Sequence, residues 1–236
     1  MTVFITGDTH GHVSIGKLSR NKGFDPDGLT REDCVIVLGD FGLVWHDPPT
    51  SQERYWLDWL ESKPWTTLFI DGNHEKHALL GSLPEKGWHG GRVHVVRDHV
   101  LHLMRGHVFE IGGSTFFAMG GARSSDVEWR KPYKSWWPEE VPSADERARA
   151  ADAIAEAGEV DYVLTHCPPA KELVAVSRKV GFTPELDAYS NWLQTEVADR
   201  LVFRRWFYGH LHLDMPDRRP FTPLFNEILA LKEGGC

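Results

Sequence analysis

Aspartate, histidine and asparagine recur along this chain in positions suited to gripping metal ions. Asp8 and His10 stand one residue apart after the run Val3-Phe4-Ile5-Thr6-Gly7. Gly39-Asp40 closes Cys34-Val35-Ile36-Val37-Leu38, and Gly72-Asn73-His74-Glu75 closes Leu68-Phe69-Ile70-Asp71. His166 ends Tyr162-Val163-Leu164-Thr165, and Gly209-His210-Leu211-His212 ends Trp206-Phe207-Tyr208. Short apolar runs of this kind read as buried strands, so each one delivers hard or borderline donors at its C-terminal tip. Ligand sites of α/β sheets lie outside those carboxyl ends, so the tips can converge. A mixture of carboxylate, imidazole and carboxamide suits Mn²⁺, Fe or Zn²⁺ better than Ca²⁺. Taken singly, Asp8 or Asp40 would be an ordinary turn or cap residue. The ordered set is what points to metal chemistry.

In order, Asp-x-His, Gly-Asp, Gly-Asn-His, His and Gly-His-x-His resemble the motifs of the calcineurin-like metallophosphoesterases, over residues 8 to 212. The resemblance implies that Asp8, His10, Asp40 and His212 hold one divalent ion and Asp40, Asn73, His166 and His210 a second, with Asp40 as the bridge. Mn²⁺ is the first expectation for both ions, with Fe or Zn²⁺ as alternatives. Paired ions about 3.5–4 Å apart clamp phosphoryl oxygens and supply hydroxide at neutral pH for attack on phosphorus. His74, beside Asn73, is the candidate to protonate the leaving oxygen or to bind a phosphate oxygen, since its ordinary pKa lies near neutrality. His12 follows the first motif and is expected to line the site without touching metal.

The expected reaction is hydrolysis of a small phosphodiester or phosphomonoester. Phosphoprotein phosphatases of the Ser/Thr type carry Gly-Asp-x-Val-Asp-Arg-Gly at the bridging aspartate, whereas here the run is Gly39-Asp40-Phe41-Gly42-Leu43-Val44-Trp45. Leu43 and Val44 replace the partner acid and the phosphate-binding arginine, which weakens that alternative and leaves the orienter of His74 unidentified. A binding protein that keeps the fold without catalysis is the third reading, and intact ligand positions argue against it. The segment 120–140 is similar to the Gly-Gly-x-x-Ser-x-Asp loop of compact bacterial and phage-type members. In it Arg123 could fork onto a phosphate, and its tryptophans could wall a leaving group. The plainer alternative is a connector whose Trp side chains pack and whose Arg side chains pair with Glu139 or Glu140.

The elements that must position these groups follow from periodicity. Residues 50–62 read as a helix with a capping box at Thr50 and Glu53, and Tyr55, Trp56, Trp59 and Leu60 recur at core-facing intervals. Residues 143–158 read as a second helix, with a box at Ser143 and Glu146 and a buried stripe of Ala148, Ala151, Ile154 and Ala155. Between them, segments 93–103, 107–111 and 114–119 alternate like an antiparallel meander. A short helix over 14–20, another over 185–201, and a closing strand pair, 203–209 with about 221–231, complete the expectation. Helices near both ends with strands throughout fit an α/β chain of two mixed β-sheets packed face to face and flanked by helices. The family resemblance likewise implies a four-layer α/β/β/α sandwich.

The chain has 236 residues, 41% hydrophobic and 25% charged, enough for one sizeable core, so residues 1–236 are read as a single domain. A formal net charge of −8 disfavours nonspecific nucleic-acid binding but leaves a local basic patch open. Cys34, Cys167 and Cys236 show neither disulfide nor metal spacing, and no basic-then-apolar leader or membrane-length apolar run is present, so a cytoplasmic location is expected. The pattern is silent on oligomeric state. The histidines outside the motifs (His46, His77, His89, His94, His99, His102 and His107) read as structural, several of them at surface or sheet-edge positions.

Overall fold

A computed structural model describes residues 1–231. The chain runs β1 (Val3–Thr6), β2 (Cys34–Leu38), α1 (Ser51–Glu61), β3 (Thr66–Ile70), α2 (His77–Leu80), β4 (Glu85–Trp88), β5 (Gly91–Arg97) and β6 (Val100–Leu103). It continues with β7 (His107–Ile111), β8 (Ser114–Met119), α3 (Ala144–Ala157), β9 (Glu159–Thr165), α4 (Ala170–Val180), α5 (Ala188–Trp192), β10 (Val202–Tyr208), β11 (Phe221–Pro223) and β12 (Ile228–Leu231). A π-helical turn, Leu193–Ala198, prolongs α5.

One sheet has the order β12-β1-β2-β3-β6-β5-β4 and the other β11-β10-β9-β8-β7, and both mix parallel with antiparallel pairs. Strand alternation assigns each side chain to a layer. Ile36 and Leu38 of β2 face inward with Ile5, Leu68 and Ile70, and meet Phe109, Phe116, Leu164 and Phe207 of the second sheet. Val35 and Val37 face outward under Leu57, Leu60 and Trp65. On the far side, Phe117, Val163, Trp206 and Tyr208 lie under Ala150, Ile154, Leu193 and Val197. Strands buried on both faces read as unbroken apolar runs, which is why β2 and β3 are so legible. Each fully buried Ile or Leu contributes on the order of 1.5–3 kcal/mol, so the layers hold the strand tips firmly in place. The result is an α/β sandwich of two mixed sheets with flanking helices.

Both expected capping boxes are present, at Thr50 with Glu53 and at Ser143 with Glu146. Several packing expectations need correction. Tyr55 is 61% exposed, and Leu57 rather than Tyr55 joins Leu60 in the core. In α3 the buried residues are Ala150 and Ile154, while Ala148 and Ala155 face solvent. The 14–20 segment forms short 3-10 turns instead of an α-helix. The presumed meander is divided: β4, β5 and β6 complete the first sheet, with β6 parallel to β3, whereas β7 and β8 start the second. The closing strand pair is also split, because β11 lies beside β10 but β12 crosses over to pair with β1. Alternation identifies strands but carries no information on which sheet receives them. No helix among the described residues is long and apolar enough to cross a membrane, and Cys236 lies outside the described residues.

Candidate metal centre

The first two strand tips are zipped together by backbone. The amides of Thr9 and His10 donate to the Asp40 carbonyl at 3.2 and 2.7 Å, and that of Gly11 donates to Phe41 O at 2.8 Å. This doubles the turn back on itself, and His10, Asp40, His210 and His212 all adopt positive φ, between 44° and 64°. A non-glycine residue held there costs of order 1–3 kcal/mol, and such strain gathers at functional sites. Behind the first tip, the half-buried Lys17 ammonium donates to Gly7 O at 3.0 Å, Asp8 O at 2.9 Å and Phe225 O. Burial lowers its pKa to about 8, against the pull of Asp8 and Asp214.

Two donor groups form around Asp8: Asp8 with His10 and His212, and Asp8 with Asp40 and His166. In the first, the Nε2 atoms of His10 and His212 lie 3.0 Å apart, and 3.8 and 3.1 Å from Asp8 Oδ2. Although His212 is that close, Asp8 Oδ2 is buried without a well-directed hydrogen bond. In the second, His166 Nε2 lies 3.3 Å from Asp40 Oδ1 and 3.1 Å from Asn73 Oδ1. Asp40 reaches both groups, because its Oδ2 stands 3.7 Å from His10 Nε2. His210 is brought beside His166, with ring centroids 4.9 Å apart, but its ring nitrogens join neither group.

Hydrogen bonds aim these donors. His166 Nδ1–H donates to Leu38 O at 2.7 Å, which turns Nε2 toward Asp40 and Asn73 as the atom a cation would meet on displacing its proton. Asp8 Oδ1 accepts from His210 N at 3.0 Å, and Asp40 Oδ1 from His74 N at 2.8 Å. Asn73 Nδ2 donates to Ser124 Oγ at 3.0 Å, and Ser124 Oγ donates to Glu140 Oε2 at 2.7 Å, which turns Asn73 Oδ1 toward His166. Buried Glu75 accepts from Phe41 N at 2.6 Å and Gly42 N at 3.3 Å, tying the Asp40 turn to the segment after β3. Burial and the nearby Asp40 carboxylate push Glu75 well above the usual carboxylate range.

Charge at the centre is unbalanced in favour of a cation. Burial opposes a charge on His166, yet the carboxylates of Asp40 and Asp8 outweigh it and raise its pKa to about 10. Burial likewise opposes ionisation of Asp40, but His166, His74 and His10 hold its carboxyl well below the usual range. Buried carboxylates, an orphaned carboxylate oxygen and imidazole lone pairs converging on it form a donor set that fits divalent cations.

The remaining candidates are placed differently. His74 sits against His10, ring centroids 5.5 Å apart, and its pKa is lowered by burial and by Arg130, against the pull of Asp40. Arg123 is exposed and lines a cavity of about 220 Å³ with His210, Cys167, Phe182 and Glu185. His12 is exposed, without a hydrogen bond or ion pair to the described residues. In the 120–140 segment Trp137 is buried against Trp45, whereas Trp129 is 89% exposed. Glu140 receives Ser124, and no arginine side chain among the described residues forms an ion pair with Glu139 or Glu140.

The sequence expectation missed a second buried network. Asp71, at the tip of β3, accepts from Arg105 Nε at 2.9 Å and from Arg105 Nη2, and lies 3.1 Å from His102 Nε2; His102 Nδ1 contacts His94 Nδ1 at 2.9 Å. His94 and His102 are buried here, not at a surface or sheet edge, and His77 is buried beside them. Val93, Leu101 and Leu103 point to the opposite face, whereas Val96 and Val100 pack in the outer layer on the histidines' side, so alternation alone could not reveal a polar interior. Burial lowers His77 and His94 to about 4. Between that value and the unfolded value near 6.5, the unfolded chain binds more protons, so stability must fall as pH drops through this window. In chelator, to remove any metal effect, the melting temperature should fall more between pH 7 and 4.5 for the wild type than for His77→Leu. An equal fall in both would contradict this origin.

Two mixed sheets whose strand tips gather buried carboxylates and imidazoles around a centre suited to a cation define a metal-binding α/β sandwich. The sequence model of the calcineurin-like phosphoesterases matches residues 1–214, and the chain belongs to that family. No curated protein matches. Among solved structures, a Staphylococcus aureus protein provisionally named a 5'-nucleotidase, in complex with alpha-ketoglutarate, aligns at 15% identity with a TM-score of 0.49. The alignment covers 98% of this chain and 50% of that one, so this chain spans about half its length.

The Ser124 relay makes a specific expectation. Ser124→Ala removes the acceptor that fixes the Asn73 amide, and loss of such an outer partner typically costs about 10–100-fold in metal affinity. Titrating apo-protein with Mn²⁺ while following ester hydrolysis checks it; an activation constant within threefold of wild type would show that the relay is not needed.

Proposed function

We propose that residues 1–236 act as one catalytic unit hydrolysing a small phosphodiester or phosphomonoester at a dinuclear metal centre. The observation that carries this reading is the convergence of Asp8, His10, Asp40, His166 and His212, from separate strand tips, into two donor groups joined by buried carboxylates. Asp8, His10, Asp40 and His212 would hold one cation and Asp40, Asn73, His166 and His210 the other, with Mn²⁺ first and Fe or Zn²⁺ next. When bound, the ions would activate water and neutralise charge on the phosphoryl oxygens.

The chain's own residues do the rest. The buried carboxylates and the Nδ1 bond of His166 fix the donors before substrate arrives, so little reorganisation is needed during reaction. His74 protonates the leaving oxygen or hydrogen-bonds a phosphoryl oxygen, and the first role would contribute about 10²–10⁴-fold. The cavity beside His210 receives the organic part of the ester, and exposed Arg123 offers its fork to an anionic group there.

The test is a side-by-side assay of Mn²⁺-loaded protein on nitrophenyl phosphate, bis-nitrophenyl phosphate, and mono-, di- and cyclic nucleotide esters. Hydrolysis of at least one ester class, lost on chelation and restored by metal, is expected. Metal-loaded protein inert on all of them would overturn the reading. Phosphopeptide turnover well above that of the small esters would shift it to a phosphoprotein phosphatase.

A further inference from the structure

Val44 stands where phosphoprotein phosphatases carry a phosphate-binding arginine, yet the structure brings a different arginine to the site. The segment after β8 is tied down by Gly121 N donating to Asp71 O at 2.8 Å and by Ser124 bonded to Asn73 and Glu140. It then turns through Val127–Trp129 and presents Arg130 to His74, with Arg130 Nη1 3.4 Å from His74 Nδ1. The guanidinium is fixed on its other side: Nε lies 2.7 Å from Asp126 Oδ1, and Nη1 also donates to Ser135 O at 3.2 Å. The Arg130 side chain is 19% exposed, and Nη2 has no hydrogen-bond partner among the described residues.

This arrangement has the parts of an anion fork. A planar guanidinium held by a carboxylate through Nε keeps its two terminal nitrogens on the opposite edge, where the geometry matches two oxygens of a phosphate. One of those nitrogens is shared with His74, and the other is unused. Arg130 is always a donor, so His74 Nδ1 must accept, and the proton of neutral His74 sits on Nε2.

We propose that Arg130 is the phosphate-binding arginine of this enzyme, gripping a non-bridging phosphoryl oxygen through Nη2 while Nη1 holds His74 as its Nε2–H tautomer. The Asp126–Arg130 pair thus supplies from the 120–140 segment what Leu43 and Val44 do not supply from the Asp40 turn. This assignment rests on the phosphoesterase reading of the same centre.

The test compares wild type, Arg130→Ala, Arg130→Lys and Asp126→Asn, each Mn²⁺-loaded, for ester hydrolysis, competitive inhibition by inorganic phosphate, and metal content. Arg130→Ala should weaken phosphate inhibition at least about tenfold and raise KM in parallel, with metal content unchanged. Arg130→Lys keeps the charge but not the fork and should recover only part of the loss. Asp126→Asn, which frees the guanidinium without removing it, should weaken phosphate inhibition about threefold or more, and it decides the matter if Arg130→Ala does not fold. Unchanged phosphate inhibition in the folded Arg130→Ala protein, or in Asp126→Asn if it must decide, would overturn the assignment while leaving the metal centre intact. Wild-type protein that hydrolyses no ester would instead remove the reading on which the assignment rests.

Discussion

Asp40→Asn should reduce ester hydrolysis by more than about three orders of magnitude, well beyond the roughly 10–100-fold that loss of an outer-shell partner costs. Three roles meet in this side chain. Its Oδ1 lies 3.3 Å from His166 Nε2, its Oδ2 lies 3.7 Å from His10 Nε2, and it accepts the His74 amide that seats the Gly-Asn-His segment. The amide is nearly isosteric but neutral, so the packing survives while a negative charge within reach of both donor groups is gone. Metal analysis of the purified variant should therefore show less bound metal in a folded protein. Full metal content with activity within tenfold of wild type would show that Asp40 is not shared.

Gly72→Ala should be almost as damaging although Gly72 offers no donor atom. A Cβ at this position would overlap Asp40 Oδ1 and the Asp40 amide nitrogen, and the clash is with a fixed turn, not with the free end of a flexible side chain. The carboxylate must be displaced, and misplacement on the scale of 1 Å can cost about 10²-fold in rate. Circular dichroism should report a folded protein, while hydrolysis drops at least about 10²-fold and metal binding weakens. Wild-type activity in Gly72→Ala would mean that the Asp40 carboxylate does not work from the position seen here. Gly209 stands in the same relation to Asp8 Oδ1, so each of these glycines before a motif residue makes room for a carboxylate from another strand tip.

Those glycines show how far the sequence could be read. The donors were visible because each follows an apolar run, and strands buried on both faces make such runs long and clean. The sandwich layers were legible for the same reason. What escaped was set by contacts between segments distant in sequence. Ser124 and Glu140 fix Asn73 across 51 residues or more, and nothing in the local pattern of either says so. Arg130 was hidden by Arg123, which sits nearer the paired glycines but faces the cavity beside His210. In sequence Asp71 is only the end of a strand, yet it anchors a buried Arg105 and His102. Sheet membership of β7, β8 and β12 also depended on chain crossing that periodicity does not encode.

Metal stoichiometry with position is the most direct measurement of the central claim. Elemental analysis of protein loaded with Mn²⁺, with anomalous scattering from its crystals, should find two ions about 3.5–4 Å apart. One should lie among Asp8, His10, Asp40 and His212, and the other among Asp40, Asn73, His166 and His210. Hydrolytically active protein with a single ion, or with ions away from Asp8 and Asp40, would contradict it.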